Sequence, residues 1–356
     1  MKAIISREFK NYMKNPLYWF GIVIVVISIY SNLSEYLNVH MFSNNQEVEQ
    51  LKNVKPTDAD IMNGYIPTTF EEQMDIGLKE IKQTFIDAYD MTELEAENAI
   101  EDVKAQKLSV AGTIKYLKDK YQFYDGKAVF MEAKQKKATA VEANNYIELK
   151  LSEHSYAYYF AKKYADFTGF HIAFFAVVLL AFLFIRDMKK DTYELLHTKA
   201  ISARSYVLGK YFGGVFPLSL AVLIITVIFT VLCQNNNLQT NFIDSFVNMF
   251  LATVLFVMPT VLICVGIYVL IALLFKNPLP AIPLVLTYIV YSNMGSYGAN
   301  GDYGFYGQIL GMLFRFEGEF FETEVLPVFQ LNQIALLLLT LLFISVGTCR
   351  WRTRRI

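Results

Sequence analysis

Cysteine and histidine, frequent metal ligands, nucleophiles and proton carriers, are few in this chain. Its cysteines, Cys233, Cys264 and Cys349, are odd in number and far apart, which excludes a disulfide framework. The four histidines, His40, His154, His171 and His197, are scattered and make no zinc-ligand spacing with the cysteines. Neither H-E-x-x-H nor G-x-S-x-G occurs, and no G-x-x-x-x-G-K-[ST] loop is present to cradle a phosphate. No catalytic residue, metal or cofactor is therefore expected in this chain, and it is not expected to hydrolyse a nucleotide alone. His171 falls near the interior of an apolar run, where a lone imidazole is more often packed than ligating. Glu35 and Asp244 border such runs and read as solvated ends.

The informative spacing is the distance between charges. Hydrophobic types make up 54% of the 356 residues and charged types only 18%, against roughly 25% in an ordinary soluble domain. The net charge of −1 excludes a nucleic-acid binder that works through bulk positive charge. Six charge-free runs have at least 18 residues: 15–34, 167–185, 211–243, 245–275, 277–301 and 325–349. A helix needs about 20 apolar residues to cross a bilayer, and a charge at its centre costs at least ~2.5 kcal/mol. The chain thus reads as an all-α integral membrane protein with six spans. They are 17–38, 167–185, 206–232, 246–275, 279–295 and 329–349.

Basic residues orient the spans. Lys2, Arg7, Lys10 and Lys14 precede the first. Arg186, Lys189, Lys190, Lys199, Arg204 and Lys210 follow the second. Lys276 lies in the 276–278 turn, and the 350–356 tail is basic. The loop 233–244 has no basic residue, and 296–327 has only Arg315. Both termini are predicted to be cytoplasmic in a multi-pass protein of the plasma membrane. The first span resembles a signal peptide in its basic start, but its long apolar stretch lacks a convincing small-residue cleavage site and favours an uncleaved helix.

Residues 1–16 read as an amphipathic helix at the membrane interface. Phe9 lies on its apolar side, and Arg7, Lys10 and Lys14 face the headgroups. Residues 39–166 read as a separate extracytoplasmic domain with 16 Lys, no Arg and 22 acidic residues. Phe70, Met74, Leu78, Ile81, Phe85 and Tyr89 keep helical spacing. Thr68 with Glu71, and Thr92 with Glu95, match capping boxes. A bundle of three to five helices is expected, its last helix running unbroken into span two. The loop 296–327 is too apolar to be freely solvated, so it should be re-entrant or lie along the membrane surface.

The segment after span two is unusual. Glu194, Leu195, Leu196, His197, Thr198, Lys199, Ala200, Ile201 and Ser202 are followed by Tyr206, Val207, Leu208, Gly209 and Lys210. The run resembles the pattern of ABC-2 type transporter permeases, in which an acidic residue and a Pro-Ile-Ser-like stretch precede a Leu-Gly-Lys opening the third span. The basic start ending in Asn15-Pro16 is also similar to that family. One departure is Ala200, where the family often has Pro.

The resemblance implies a non-catalytic permease that pairs with a second copy or a sister permease and docks two separate ATPase subunits. ATP and Mg would then bind in the partner chain. Residues 186–205 would be the ATPase-coupling segment, through Glu194, Leu195, Leu196, His197, Thr198, Lys199, Ile201 and Ser202. A large external domain is similar to branches that export peptides, antibiotics or sodium. Thr226, Thr230 and Gln234 of span three, and Tyr288, Tyr291, Ser292 and Asn293 of span five, are polar groups in apolar helices. They are expected to line a cargo path or dimer interface, or to bond neighbouring helices. Two other readings of the sequence stay open at this point: a membrane sensor whose external domain binds a peptide, and an intramembrane enzyme.

Overall fold

A computed structural model describes residues 1–353 except 186, 190, 191, 193, 195, 197, 199, 200, 235–240, 298–302, 305, 306, 317, 324 and 326. The chain forms two compact units, one of Met1–Asn38 with His154–Ile356, the other of Val39–Glu153.

The first unit begins with α1 (Lys2–Met13) and α2 (Pro16–Leu33). Asn15 separates them: its side chain accepts from the Leu17 amide at 3.0 Å, and Pro16 occupies the first helical position, where its missing N–H costs nothing. After the second unit come α9 (Tyr156–Leu180) and α10 (Ala203–Gln234). The next helix, α11, runs Phe242–Phe275 through a π-helical turn at Thr253–Val257. The last two are α12 (Ala281–Ser292) and α13 (Pro327–Thr353).

Among the described residues, five helices are long and apolar enough to cross a membrane: α2, α9, α10, α11 and α13. The predicted span 279–295 is shorter than expected. Its 12 helical residues reach about 18 Å at ~1.5 Å each, against a hydrocarbon core of about 30 Å. Lys276 adopts a left-handed conformation (φ 55°) and Asn277 accepts from the Leu279 amide at 3.0 Å. These set the tight turn between α11 and α12.

Between α12 and α13 the described residues include a short antiparallel pair, Ser296–Tyr297 with Tyr303–Gly304, and a 3-10 turn at Phe320–Glu322. Met312, Leu313, Phe314, Phe316, Phe320 and Phe321 are all buried. Phe314 and Phe316 pack on Phe256 of α11 with ring centroids at 5.1 and 4.9 Å. This burial answers the apolar content that made a free loop implausible, and it requires partners for a non-helical backbone.

The second unit contains α3 (Asn45–Glu49), α4 (Phe70–Ala88), α5 (Glu93–Ala105), α6 (Val110–Tyr121), α7 (Gly126–Glu132) and α8 (Ala140–Glu153). Its core holds Leu78, Ile81, Phe85, Ala96, Val103, Leu117, Phe123 and Phe130. Gly77 admits the Phe130 ring so closely that a Cβ there would lie 2.4 Å from it.

Four expectations are corrected in or beside this unit. The capping box of α4 is Thr69 with Glu72, one residue later than expected, because Thr68 instead donates to the Ala133 carbonyl at 2.7 Å. The box at Thr92 and Glu95 forms. A short antiparallel pair, β1 (Tyr65–Pro67) with β2 (Gln135–Lys137), interrupts the helices and sets Tyr65 opposite Lys137. The final helix does not run on into the next span. It stops at Glu153, and α9 starts at Tyr156 after an extended Ser155 (ψ 153°). The compact unit accordingly ends at Glu153 rather than at 166.

Asp102 collects three donors on one oxygen: Lys120 Nζ at 2.7 Å, Tyr116 at 2.8 Å and Tyr121 at 2.9 Å. These hydrogen bonds, Lys120's foremost, lower its pKa to about 2. Lys136 does the same for Glu142, with help from the Thr139 amide, also to about 2. A depressed carboxylate stabilises the fold above its ordinary pKa, and that contribution disappears as pH falls through the folded value. Protection of the 39–153 amides against hydrogen exchange should therefore decline between about pH 4 and pH 2, and Asp102→Asn should flatten that decline.

Candidate functional site

The predicted coupling residues are placed as follows. Glu194 and Thr198 are exposed and helical, Leu196 is half-buried, and Ile201 is half-buried just before α10. Ser202 accepts from the Ser205 amide at 3.2 Å and so caps α10. Leu195, His197 and Lys199 lie outside the described residues.

Next to this segment lies a buried knot of charge. Lys210 Nζ is 2.6 Å from Asp187 Oδ2 and 2.9 Å from Glu8 Oε1, and donates to the Leu183 carbonyl at 2.9 Å. All three charged residues are at most 6% exposed. Tyr206 donates to Asp187 Oδ2 at 3.0 Å, and its ring stacks on Trp351 with centroids 3.9 Å apart. Four pieces of chain thus meet: α1, the turn after α9, the start of α10 and the end of α13.

Two glycines allow the meeting. A Cβ on Gly213 would lie 2.8 Å from Glu8 Cβ, and one on Gly209 would lie 3.0 Å from Ile4. Gly209 and Gly213, four apart on α10, let α1 cross close enough for Glu8 to reach Lys210. Arg7 of α1 and Lys14 just after it line a cleft beside the knot, while on α1 Phe9 is half-buried and Lys10 is exposed.

A second polar cluster holds the segment after α12. Arg315 Nε lies 2.6 Å from Asp166 Oδ1, and Asp166 Oδ2 accepts from the Phe316 amide at 3.3 Å. Lys163 donates to the Gly318 carbonyl at 2.6 Å, and Lys162 to that of Thr323 at 2.6 Å. The charge gap that starts at 167 hid these residues. They belong to the first turns of α9, where backbone carbonyls and one another neutralise them, so the helix begins at Tyr156 rather than 167.

The polar residues expected along a path fall into two groups. Those of α12 hold the same buried segment. Tyr291 donates to the Ile309 carbonyl at 2.7 Å and Tyr288 to that of Leu310. Ser292 Oγ accepts from the Met312 amide at 2.9 Å, and Asn293 Oδ1 accepts from Arg315. From α13, Asn332 accepts from the Leu310 amide at 3.0 Å and donates to the Gln308 carbonyl at 2.7 Å. The other group is interior. Thr226 is 2.9 Å from the Tyr164 hydroxyl and 3.0 Å from that of Thr253, at the start of the π turn. Thr230 is buried one helical turn further on, bonding back to the Thr226 carbonyl, and Gln234 is half-buried at the end of α10. Within the chain, Thr226 bonds neighbouring helices, Thr230 bonds only its own helix, and the α12 residues bond the segment that follows them.

Sequence reasoning missed Glu8, Asp187, Trp351, Asp166 and the two lysines beside it as parts of a site. Signals existed. Glu8 is the sole acid on an otherwise basic helix, and Gly209-x-x-x-Gly213 is a small-residue crossing pattern. No curated protein and no solved structure matches the chain. The family model described as "ABC-2 family transporter protein" matches residues 2–348. With that match over nearly its whole length, and with several helices able to cross a bilayer, the chain is a multi-pass membrane protein that belongs to the ABC-2 transporter family.

Proposed function

We propose that this chain is the permease subunit of an ATP-driven ABC-2 exporter. It forms the translocation path, with a second copy or sister permease, for a peptide-, antibiotic- or lipid-like cargo, or for sodium. Hydrolysis of ATP with Mg takes place in two partner ATPase subunits, and this chain has no catalytic residue of its own. The family match supports the class.

The observation that carries the mechanism is the buried Lys210 knot. A push on residues 186–205 by a nucleotide-driven partner reaches Asp187, and through Lys210 it moves α10 and α1 together. A buried pair of this kind has one good geometry and is costly to break, so force is passed on rather than absorbed locally.

The same knot supports the topology. Glu8 near the start of the chain and Trp351 near its end join one cluster through Lys210, Asp187 and Tyr206. Ends that meet on one side require an even number of crossings. Five long helices make an odd number, so the short α12, completed by the buried segment after it, is the sixth. The density of lysine and arginine around the knot supports a cytoplasmic side there, with Val39–Glu153 on the other side of the plasma membrane.

Co-purification with the co-expressed ATPase tests the coupling segment. Leu196→Asp and Glu194→Lys are each expected to lower ATPase recovery at least about tenfold, the cost of one buried interface anchor, with membrane insertion unchanged. Wild-type recovery in both variants would refute the assignment.

A further inference from the structure

Beside the Lys210 knot, α1 and the turn after α9 enclose an open cleft of about 510 Å³. Its walls come from one face of α1, with Arg7, Glu8 and Asn11, from Lys14 just after that helix, and from Phe182, Leu183, Ile185 and Asp187. Its depth in the membrane follows from the chain. Crossing helix α2 begins at Pro16, immediately after the cleft-lining stretch of α1, and α9 ends at Leu180, just before the opposite wall. Trp19 donates to the Met13 carbonyl at 3.0 Å and is half-exposed, as at a membrane–water boundary. The cleft thus opens where headgroups lie.

Charge in the cleft is layered. The floor has two carboxylates, Glu8 and Asp187, sharing one ammonium, Lys210, a net of one negative charge. Asp187 is 2% exposed and its Oδ1 receives no hydrogen bond among the described residues. A buried carboxylate oxygen without a donor is costly. The rim has two exposed cations, Arg7 and Lys14, and the amide of exposed Asn11. An occupant must bring an anion at the rim and a hydrogen-bond donor with positive charge a few ångströms deeper, and it must tolerate the apolar Phe182 and Ile185.

We propose that the cleft binds the headgroup of a phospholipid bearing a primary ammonium, such as phosphatidylethanolamine. Arg7 and Lys14 take the phosphate, and the ammonium donates to the Glu8–Asp187 floor. A trimethylated headgroup has the same charges and no N–H, so it cannot supply the missing donor. This site is independent of what the protein transports.

The test uses the full-length protein, reconstituted in vesicles of equal phosphatidylethanolamine and phosphatidylcholine, extracted in mild detergent and assayed for retained lipid by mass spectrometry. Retained phosphatidylethanolamine should exceed phosphatidylcholine about tenfold, the factor that one charge-assisted hydrogen bond provides. The double variant Arg7→Gln/Lys14→Gln, altered at exposed positions only, should bring the retained lipid to the bulk ratio. Lys2→Gln, outside the cleft, should leave the enrichment in place. Equal retention of the two lipids by the wild type would overturn the proposal, and so would enrichment that survives the double variant. A free phosphoester is separated by adding soluble glycerophosphoethanolamine. Failure to displace the lipid supports a headgroup site, whereas full displacement at the lipid's own concentration would overturn the lipid assignment.

Discussion

Lys210→Met is expected to destabilise the membrane unit by about 3–5 kcal/mol, the usual cost of removing one partner of a buried ion pair. Methionine nearly fills the lysine's volume, so the loss is electrostatic. Glu8 and Asp187, at 6% and 2% exposure, would face each other with no cation. Thermal unfolding of the purified protein in detergent measures it. The triple variant Glu8→Gln/Asp187→Asn/Lys210→Met removes all three charges and should recover most of the stability. It should not recover transport. Under the coupling reading, ATPase-driven export should stay down roughly 5–150-fold in the triple variant, the range of a typical coupling free energy. If export returned with stability, the knot would be only a structural support.

How much of this was legible in the sequence depends on what kind of interaction sets each feature. Spans follow from local composition: α2, α11 and α13 lie within the charge-free runs or within a few residues of them, whereas α10 starts at Ala203, ahead of its run and with Arg204 and Lys210 in its first turns. The start of α9 was misplaced because its first turns carry Lys162, Lys163 and Asp166. Their neutralisation comes from carbonyls and an arginine more than 140 residues away, which no window can register. The break at His154–Ser155 was also invisible, since no proline or glycine marks it.

Candidate-site residues divide the same way. The charged segment 186–205 stood out as a local pattern. Glu8 did not, because its role depends on a crossing that Gly209 and Gly213 permit in three dimensions, and Trp351 did not, because the Tyr206 ring it stacks on is far away in sequence. The polar residues of α12 were noticed for the right physical reason, that apolar helices do not carry hydroxyls idly. Their partners, the backbone of Ile309, Leu310 and Met312 and the Arg315 guanidinium, could not be read from spacing.

Asp166→Ala should release the segment after α12 from its seat. The aspartate is 4% exposed and holds Arg315 through Oδ1 and the Phe316 amide through Oδ2. Its loss takes the carboxylate from a guanidinium that is 20% exposed and keeps its bond to Asn293, at a cost of about 3 kcal/mol. Hydrogen exchange distinguishes this from general destabilisation. Amides of 307–323 should exchange at least about 100-fold faster, whereas those of α10 should change little. Lys162→Met is the comparison, since it removes a single charged donor from the Thr323 carbonyl, worth about 1.5–3 kcal/mol. It should loosen only the end of the segment. The double variant Asp166→Ala/Arg315→Met removes both charges and should restore much of the protection. Were it as labile as Asp166→Ala alone, the aromatic packing of Phe314 and Phe316 on Phe256, rather than the ion pair, would be what keeps this non-helical stretch within the bundle.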